Sequence, residues 1–357
     1  MKRFYYLLAV LLAVVIYAVT AYALTAEEML LLKRGGMSDE KILEIQKKEG
    51  VTPNTKIKPF DWNEDGKKDI IIGSRGYIVS KGHVLVYLNT GTNLQPMFDE
   101  PKIISDLVIK WWEYAFILDI INIDPYIVDW NNDGKKDFVL GQGSGEISVF
   151  INMGTNKHPI FAPAIRLNNG SLDVGFDSSP AMVDWNGDGK KDLVVGNRSG
   201  NVFVFLNIDE DSEPEFPSNG IKTDIKVTGN ATPFIIDWND DGKFDVLCGS
   251  KDGKIYIFIN EGDSKTPKFN KAQTLQVNNN ELKLPGPTSV IALDWDDDGK
   301  IDLLVSNKEV VEEGLTPDRN NIIPFGIYLL LNTGTREKPE FKELKEIKGK
   351  FMSDGLL

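Results

Sequence analysis

A nine-residue phrase that recurs five times constrains this chain more than any other feature of its sequence. The first copy, at 61–69, reads Asp-Trp-Asn-Glu-Asp-Gly-Lys-Lys-Asp, and close variants follow at 129–137, 184–192, 237–245 and 294–302. Successive copies begin 68, 55, 53 and 57 residues apart. A period of this length is typical of repeat arrays and propellers, in which each repeat is one supersecondary unit.

Each repeat also carries the same series of short apolar runs. In the third repeat a run at 181–183 leads into the phrase, and a second at 193–195 leaves it and ends at a glycine. A third run at 202–206 alternates in character, and a fourth follows the Pro-x-Phe triplet at 214–216. Short runs bounded by Gly, Asn and Pro predict antiparallel strands joined by tight turns.

Four strands per repeat make one propeller blade, so five repeats predict an all-β chain that forms a five-bladed β-propeller. A linear solenoid is the structural alternative. It would leave strand edges exposed that a closed ring removes, so the ring is favoured. A tryptophan follows the first aspartate in every copy, and this recurrence indicates blade packing.

The ends of the chain differ from the repeats. Lys2 and Arg3 precede a long apolar run, and the small-x-small triplet at 21–23 is typical of a signal-peptide cleavage site. An uncleaved anchor is the alternative, because the run is about long enough to span a bilayer. We therefore expect a secreted, cell-surface or periplasmic protein that contacts the membrane only if the leader is retained. The predicted boundaries are a signal peptide at 1–23, a short helical segment or linker at 24–56, the propeller at 57–348 and a C-terminal tail at 349–357.

Composition excludes several classes of function. The 53 acidic residues outnumber 40 basic ones, which argues against a nucleic-acid partner, since such proteins present clustered lysine and arginine. The single cysteine, Cys248, excludes an intramolecular disulfide and multi-cysteine metal sites. Two histidines leave little material for imidazole-rich sites. The acidic excess therefore requires a separate explanation.

The repeated phrase supplies that explanation as a calcium site. Oxygen donors stand at positions 1, 3, 5 and 9, a backbone carbonyl is available at position 7, and glycine at position 6 permits a sharp turn. Calcium accepts roughly six to eight oxygens, whereas magnesium demands stricter octahedral geometry. We expect about five calcium ions, one in each loop. The predicted ligands, with each lysine contributing its backbone carbonyl, are Asp61, Asn63, Asp65, Lys67 and Asp69; Asp129, Asn131, Asp133, Lys135 and Asp137; Asp184, Asn186, Asp188, Lys190 and Asp192; Asp237, Asn239, Asp241, Lys243 and Asp245; and Asp294, Asp296, Asp298, Lys300 and Asp302.

The phrase has two other interpretations. An EF-hand shares the opening spacing but requires glutamate at position 12, where this chain has Ile72, Leu140, Val195, Cys248 and Val305. A metal-free turn is the second alternative, because Asp, Asn and Gly are common in turns. Five copies that keep aspartate at positions 1, 5 and 9 favour metal binding.

The phrase, followed by an apolar strand and a glycine as in Asp192–Gly196, resembles the FG-GAP/VCBS repeat family. The blades of integrin α-chains belong to this family, and the resemblance covers about residues 57–348. It implies a calcium-stabilised propeller that is usually extracellular and used for recognition. The integrin relatives have seven blades, whereas five repeats are evident here.

Departures from the repeat predict where a ligand binds. The longest interval holds about a dozen extra residues rich in aromatic side chains, and further departures lie at 74–82 and 306–325. In antiparallel blades all three fall on the face opposite the calcium loops. Such aromatic and polar groups suit sugars or protein loops. A purely structural role for the two tryptophans is the alternative. The predicted ligand-binding residues are Arg75, Tyr77, Trp111, Trp112, Tyr114 and Arg319.

The sequence thus predicts an exported calcium-binding propeller that recognises a glycan or an extracellular protein. A calcium-dependent polysaccharide lyase or glycosidase is one alternative, and a structural subunit of a cell-surface assembly is another. No catalytic residues are predicted, since no Ser/His/Asp order, HExxH motif or P-loop is evident in the sequence.

Overall fold

In the structure, a computed structural model, the regular secondary structure of the described residues consists almost entirely of β-strands. The residues described are 52–75, 84–99, 101–104, 123–170, 172–263, 265–269, 271–308, 310–311, 322–323 and 325–349. The predicted signal peptide at 1–23, the helical segment up to residue 51 and the tail beyond residue 349 lie outside them. Within the described part the helical structure is one 3-10 turn, Leu167–Gly170, and no helix there is long and apolar enough to cross a membrane.

Five four-stranded antiparallel sheets, each with its strands in chain order, form the five blades. Blade 1 contains β1 (Thr52–Phe60), β2 (Asp69–Arg75), β3 (Val84–Tyr87) and β4 (Lys102–Ile103). Blade 2 contains β5 (Ile123–Val128), β6 (Asp137–Gln142), β7 (Ile147–Phe150) and β8 (Ile165–Arg166). Blade 3 contains β9 (Ser179–Val183), β10 (Asp192–Gly196), β11 (Asn201–Phe205) and β12 (Ile221–Lys226).

The last two blades each carry an additional hairpin. Blade 4 contains β13 (Thr232–Ile236), β14 (Asp245–Gly249), β15 (Ile255–Phe258) and β16 (Gln273–Thr274), and the hairpin of β17 (Gln276–Val277) and β18 (Asn280–Glu281) follows it. Blade 5 contains β19 (Thr288–Leu293), β20 (Asp302–Asn307), β23 (Gly326–Leu330) and β24 (Lys345–Glu346). The hairpin of β21 (Val310–Val311) and β22 (Ile322–Ile323) lies between its second and third strands.

This arrangement confirms the predicted all-β, five-bladed propeller. The runs predicted in the third repeat fall largely in β9, β10 and β11, whose side chains are mostly buried. The first strand begins at Thr52, so it includes residues 52–56 of the segment predicted as linker. The predicted insertion at 306–325 contains the hairpin of β21 and β22.

The ring closes between blades 5 and 1. Ile57 of blade 1 and Trp295 of blade 5 belong to one buried cluster. The Lys68 ammonium of blade 1 donates a 2.8 Å hydrogen bond to the Trp295 carbonyl. Beyond the last strand, Gly349 forms a parallel bridge with Phe98 of blade 1. Closure therefore combines apolar packing, a charged donor and backbone pairing.

The repeated tryptophan packs each blade on the next, as its recurrence indicated. The Trp62 and Phe138 ring centroids are 5.9 Å apart, across the boundary between blades 1 and 2. At the closing boundary, Trp295 Nε1 donates a 2.7 Å hydrogen bond to the Asn93 carbonyl of blade 1. The remaining pairs are Trp130 with Phe216, Trp185 with Phe269, and Trp238 with Phe341.

The glycine at the end of the second strand allows adjacent blades to approach closely. A β-carbon on Gly196 would lie 2.1 Å from the carbonyl oxygen of Ala231, which immediately precedes the first strand of blade 4. Such a separation is well below van der Waals contact, so the backbone of one blade would have to move. Blade 5 carries Ser306 where the other blades carry this glycine. The corresponding separations from the next blade are 2.0 Å for Gly73, 2.2 Å for Gly141 and 2.3 Å for Gly249.

Substitution of this glycine is expected to weaken the contact between blades. We predict that Gly196→Ala lowers the free energy of unfolding by roughly 1–3 kcal/mol, because the added methyl group overpacks the boundary between blades 3 and 4. Thermal denaturation followed by circular dichroism measures the loss. Ser306→Ala is the matched control with a smaller expected effect, since blade 5 already accommodates a β-carbon there. Equal melting temperatures for wild type and Gly196→Ala would contradict the packing role.

Candidate functional site

The five nine-residue phrases, here called the carboxylate loops, connect the first and second strands of their blades. Each needs two residues in the left-handed region of φ. One is the predicted glycine at position 6, with φ of 83°, 82°, 88°, 81° and 86° for Gly66, Gly134, Gly189, Gly242 and Gly299. The other is position 4, which sequence analysis missed; its residues are Glu64, Asn132, Gly187, Asp240 and Asp297, with φ between 57° and 70°. This backbone curls the loop tightly.

The loop carboxylates bind the backbone of their own loop. In blade 3 the Asp184 carboxylate accepts hydrogen bonds from the N–H groups of Asp188 at 3.0 Å and Gly189 at 2.8 Å. The Asp188 carboxylate in turn accepts one from Lys190 N–H at 2.9 Å. The same three bonds recur in the other four loops. One geometry therefore serves all five blades.

The aspartate at position 9 is the most buried acid of each loop. In blade 3 the Asp192 carboxylate accepts one hydrogen bond from Trp185 N–H and one from Asn207 N–H, both at 2.8 Å. Burial raises the pKa of this carboxyl, and the other loop carboxylates add to the rise, while the two backbone donors oppose it. Burial also raises the pKa of its equivalents Asp69, Asp137, Asp245 and Asp302.

An asparagine to which sequence analysis assigned no role completes this unit. Asn207 follows the third strand of blade 3, and its side-chain carbonyl accepts hydrogen bonds from Asp209 N–H and Glu215 N–H, both at 3.1 Å. It therefore holds the turn that contains Pro-x-Phe beside the carboxylate loop. The sequence signal is an asparagine seven residues before the proline of every Pro-x-Phe triplet. The other copies are Asn89, Asn152, Asn260 and Asn332.

Two loops bring three carboxylates into the range of one metal ion. In blade 2 one oxygen each of Asp129, Asp133 and Asp137 lie within 4.8 Å of one another. In blade 5 the same holds for Asp294, Asp296 and Asp302. The other three loops keep the same hydrogen bonds, but in the described structure their carboxylates do not meet this spacing.

The oxygens at position 3 provide a test of whether a cation fits these loops. Asn63, Asn131 and Asn186 each accept a hydrogen bond from the N–H group at position 5. Asn239 Oδ1 and Asp296 Oδ1 are buried and have no hydrogen-bond partner among the described residues. A buried polar atom without a partner costs roughly 1–3 kcal/mol, which a bound cation would offset. The oxygen-rich donor set and these two atoms fit calcium.

The lysines at position 7 balance part of the loop charge. Lys300 Nζ lies 2.8 Å from the Asp298 carboxylate, and this hydrogen bond lowers the pKa of Asp298. The equivalent ion pairs are Lys67–Asp65, Lys135–Asp133 and Lys243–Asp241, at 3.7, 3.2 and 3.1 Å. The role predicted for these lysines, ligation through the backbone carbonyl, stays a prediction.

Position 8 joins each carboxylate loop to the preceding blade. Lys136 of blade 2 donates to the Asp61 carbonyl of blade 1 at 2.8 Å, and Lys191 of blade 3 donates to the Asp129 carbonyl of blade 2 at 2.6 Å. Phe244 of blade 4 instead packs on Trp185, with ring centroids 4.8 Å apart. Ile301 of blade 5 is buried in the cluster that contains Trp238. The five loops therefore form a continuous ring of contacts.

The ligand face predicted from the insertions lies mostly outside the described residues. Arg75 ends β2, where its backbone pairs with Thr52. The Arg75 side chain lies outside them, as do Tyr77, Trp111, Trp112, Tyr114 and Arg319. Their clustering therefore stays a prediction.

Comparison with solved structures found chains of low identity. An Agrocybe aegerita lectin that recognises non-reducing terminal N-acetylglucosamine is 20% identical, with a TM-score of 0.36 over 85% of this chain and 68% of the lectin. A mutant of the NanB sialidase from Streptococcus pneumoniae is 12% identical, with a TM-score of 0.43 over 87% of this chain and 65% of the sialidase. BBS1N in complex with ARL6DN is 11% identical, with a TM-score of 0.34 over 81% of this chain and 89% of that chain.

Comparison by sequence gave a more specific result. No curated protein matches the chain. The model of the FG-GAP-like repeat matches residues 129–195 and 237–305, each of which begins at the first aspartate of a carboxylate loop. The chain therefore carries FG-GAP-like repeats, which confirms the resemblance drawn from its loops.

Proposed function

We propose that this chain is an exported calcium-binding β-propeller that recognises a glycan or protein ligand, with calcium in a structural role in each carboxylate loop. The observation that carries the proposal is the curled loop that all five blades share, with the carboxylates at positions 1 and 5 hydrogen-bonded to the loop backbone. The unpartnered oxygens of Asn239 and Asp296 support a cation in this position.

The side chains at positions 1, 3, 5 and 9 and the backbone carbonyl at position 7 would hold the ion. Calcium would supply two positive charges to a loop that carries at least three aspartates, and it would accept oxygens from carboxylate, amide and backbone groups alike. Position 9 would benefit most, because its carboxylate is buried beside like charges.

A structural role for the ion follows from what each loop contacts. Within a blade, position 9 bonds to the asparagine that holds the turn between the third and fourth strands. Between blades, the lysine at position 8 bonds to the loop before it. The single cysteine excludes an intramolecular disulfide, so the ring needs another source of order. Calcium outside the cytoplasm would supply that order, in keeping with the predicted export signal.

A recognition role is supported by the difference between the two ends of the propeller, one of which repeats from blade to blade while the other varies. The five carboxylate loops and the turns that follow the third strands share one end and repeat closely. The opposite end carries the connections between blades, which differ in length and sequence. Ligand specificity on a repeated scaffold generally resides in such variable segments.

Screening the calcium-loaded protein against a glycan array and a panel of extracellular proteins tests the recognition proposal. We expect selective binding to a small set of glycans or to one protein class, because the variable end presents a defined surface. Protein carrying a disrupted fold serves as the control for non-specific adhesion. Absence of binding to every glycan and every protein in the two panels would contradict the proposal.

Calcium is expected to raise the melting temperature of protein stripped of metal on a chelating resin. A ligand that binds only the folded state adds roughly 2.7 kcal/mol per site when its free concentration is a hundredfold above its Kd. Differential scanning calorimetry with calcium, with magnesium and without added metal measures the effect. An identical transition in all three would overturn the metal assignment.

The number of calcium ions bound per chain should fall by one when the carboxylate loop of blade 5 loses a donor. We predict this for Asp298→Ala, because it removes the position 5 carboxylate. Asp296→Asn is the matched control, since it installs the residue that the other four loops carry at position 3. Calcium content after equilibrium dialysis, measured by mass spectrometry, distinguishes them. Full stoichiometry in Asp298→Ala would argue against ligation by this residue.

Acidification is expected to weaken the stabilising effect of calcium. The raised pKa of the position 9 carboxyls means that the folded state binds more protons than the unfolded chain between the two pKa values. In metal-free protein these five carboxyls should therefore add stability as pH falls through their raised pKa, whereas the position 5 carboxyls of blades 1, 2, 4 and 5, whose pKa is lowered, should lose it. Protons compete with calcium, so the increase in melting temperature caused by calcium should shrink at the same time. Calorimetry from pH 7.5 to 4.5, with and without calcium, measures both trends. A calcium effect that grew on acidification would contradict the assignment.

A further inference from the structure

We infer that Phe176, Asp177 and Arg198 form a sugar-binding subsite at the end of the propeller opposite the carboxylate loops. The inference rests on the proposed recognition function and specifies its ligand as a glycan. Phe176 and Asp177 lie in the connection between β8 and β9, and Arg198 lies in the turn between β10 and β11.

Phe176 is exposed although the blade does not require an aromatic side chain there. Its relative exposure is 49%, and it is the aromatic member of the set of large apolar side chains that the described structure leaves exposed. Its carbonyl accepts a hydrogen bond from Arg198 N–H at 2.7 Å. In blades 4 and 5 the corresponding acceptors are Gly229 and Pro287. Packing between the blades therefore does not account for the exposed phenyl ring of Phe176.

The Phe176 side chain is held in place by its two neighbours. The Arg198 guanidinium lies 5.0 Å from the centre of the ring, which is within cation–π distance. Arg198 Nε and Nη2 donate to the two carboxylate oxygens of Asp177, at 2.6 and 3.2 Å. Gly175 and Asp177 both adopt left-handed φ, at 83° and 55°, which sets the path of the chain on either side of the ring. The group is thus organised before a ligand arrives, which lowers the entropy lost on binding.

The subsite lies at the boundary between blades 2 and 3. Asp177 N–H donates to the Gly143 carbonyl in the turn between the second and third strands of blade 2. Arg198 belongs to the equivalent turn of blade 3. The elements that position the subsite are therefore separate from the carboxylate loops, so calcium would affect binding only through the stability of the ring.

A sugar is the ligand whose chemistry matches this group. A pyranose presents an apolar C–H face that stacks on an aromatic ring, and hydroxyl groups at its edge that bind a carboxylate and a guanidinium. Among the described residues of this connection the exposed apolar area is one aromatic ring, and its exposed neighbours include the polar Asp173 and the small Gly175. A stable protein interface buries about 800 Å² on each partner around an apolar centre, for which a single ring is too small.

The test uses the full chain loaded with calcium. A glycan array identifies the best-bound glycan, and isothermal titration calorimetry then measures its affinity for wild type and variants. Phe176→Ala should weaken binding at least about tenfold through loss of stacking, whereas Phe176→Tyr should stay within about threefold of wild type. Ile165→Ala, which truncates another exposed apolar side chain, should leave the affinity unchanged. Thermal melts verify that each variant is folded.

The outcomes separate this inference from the function on which it rests. Loss of affinity in Phe176→Ala alone, with an unchanged melting temperature, supports the subsite. Glycan binding that persists in Phe176→Ala overturns the subsite and leaves glycan recognition standing. Absence of binding to every glycan on the array, together with selective binding to an extracellular protein, overturns the subsite while the broader recognition role survives.

Discussion

The interaction on which each blade depends is the buried carboxylate at position 9. It sits at the start of the second strand and accepts one N–H from the loop before it and one from the asparagine after the third strand. A single side chain thus joins three strands at one point. Burying an ionised group is costly unless charge or hydrogen bonds compensate it, and two neutral donors do so only in part. A cation in the loop would complete the compensation, so the proposed metal binding and the geometry of the blade address the same electrostatic problem.

The acidic excess of the chain has the same origin. The formal charge of -13 is concentrated in the repeats, where each loop carries aspartate at positions 1, 5 and 9. These carboxylates are held by the backbone of their own loop. Five divalent ions would offset about ten negative charges and leave a value ordinary for a soluble domain. In the proposed calcium-bound state the charge is a local supply of oxygen donors.

The fold followed from the sequence because local and periodic signals agree. The spacing of the loops, the strand-like runs and the recurring tryptophans each pointed to stacked blades, and the structure has five. What escaped prediction depends on contacts between distant segments. The left-handed residue at position 4 varies in identity, the lysine at position 8 resembles any solvated charge, and the role of Asn207 appears only when two turns meet. Phe176 was missed for a different reason: it does not recur, so no periodic argument draws attention to it.

The contact at position 8 makes the boundary that closes the propeller similar to the other boundaries between blades. A lysine of the following loop crosses the boundaries between blades 1 and 2 and between blades 2 and 3, and Lys68 crosses the boundary between blades 5 and 1 in the same way. The boundary between the last blade and the first is thus built like the boundaries between blades that are consecutive in the chain. New termini opened at another inter-blade connection, with the old ones joined, would leave this set of contacts intact. These contacts thus depend on which blades are neighbours around the axis, and less on which blade comes first along the chain.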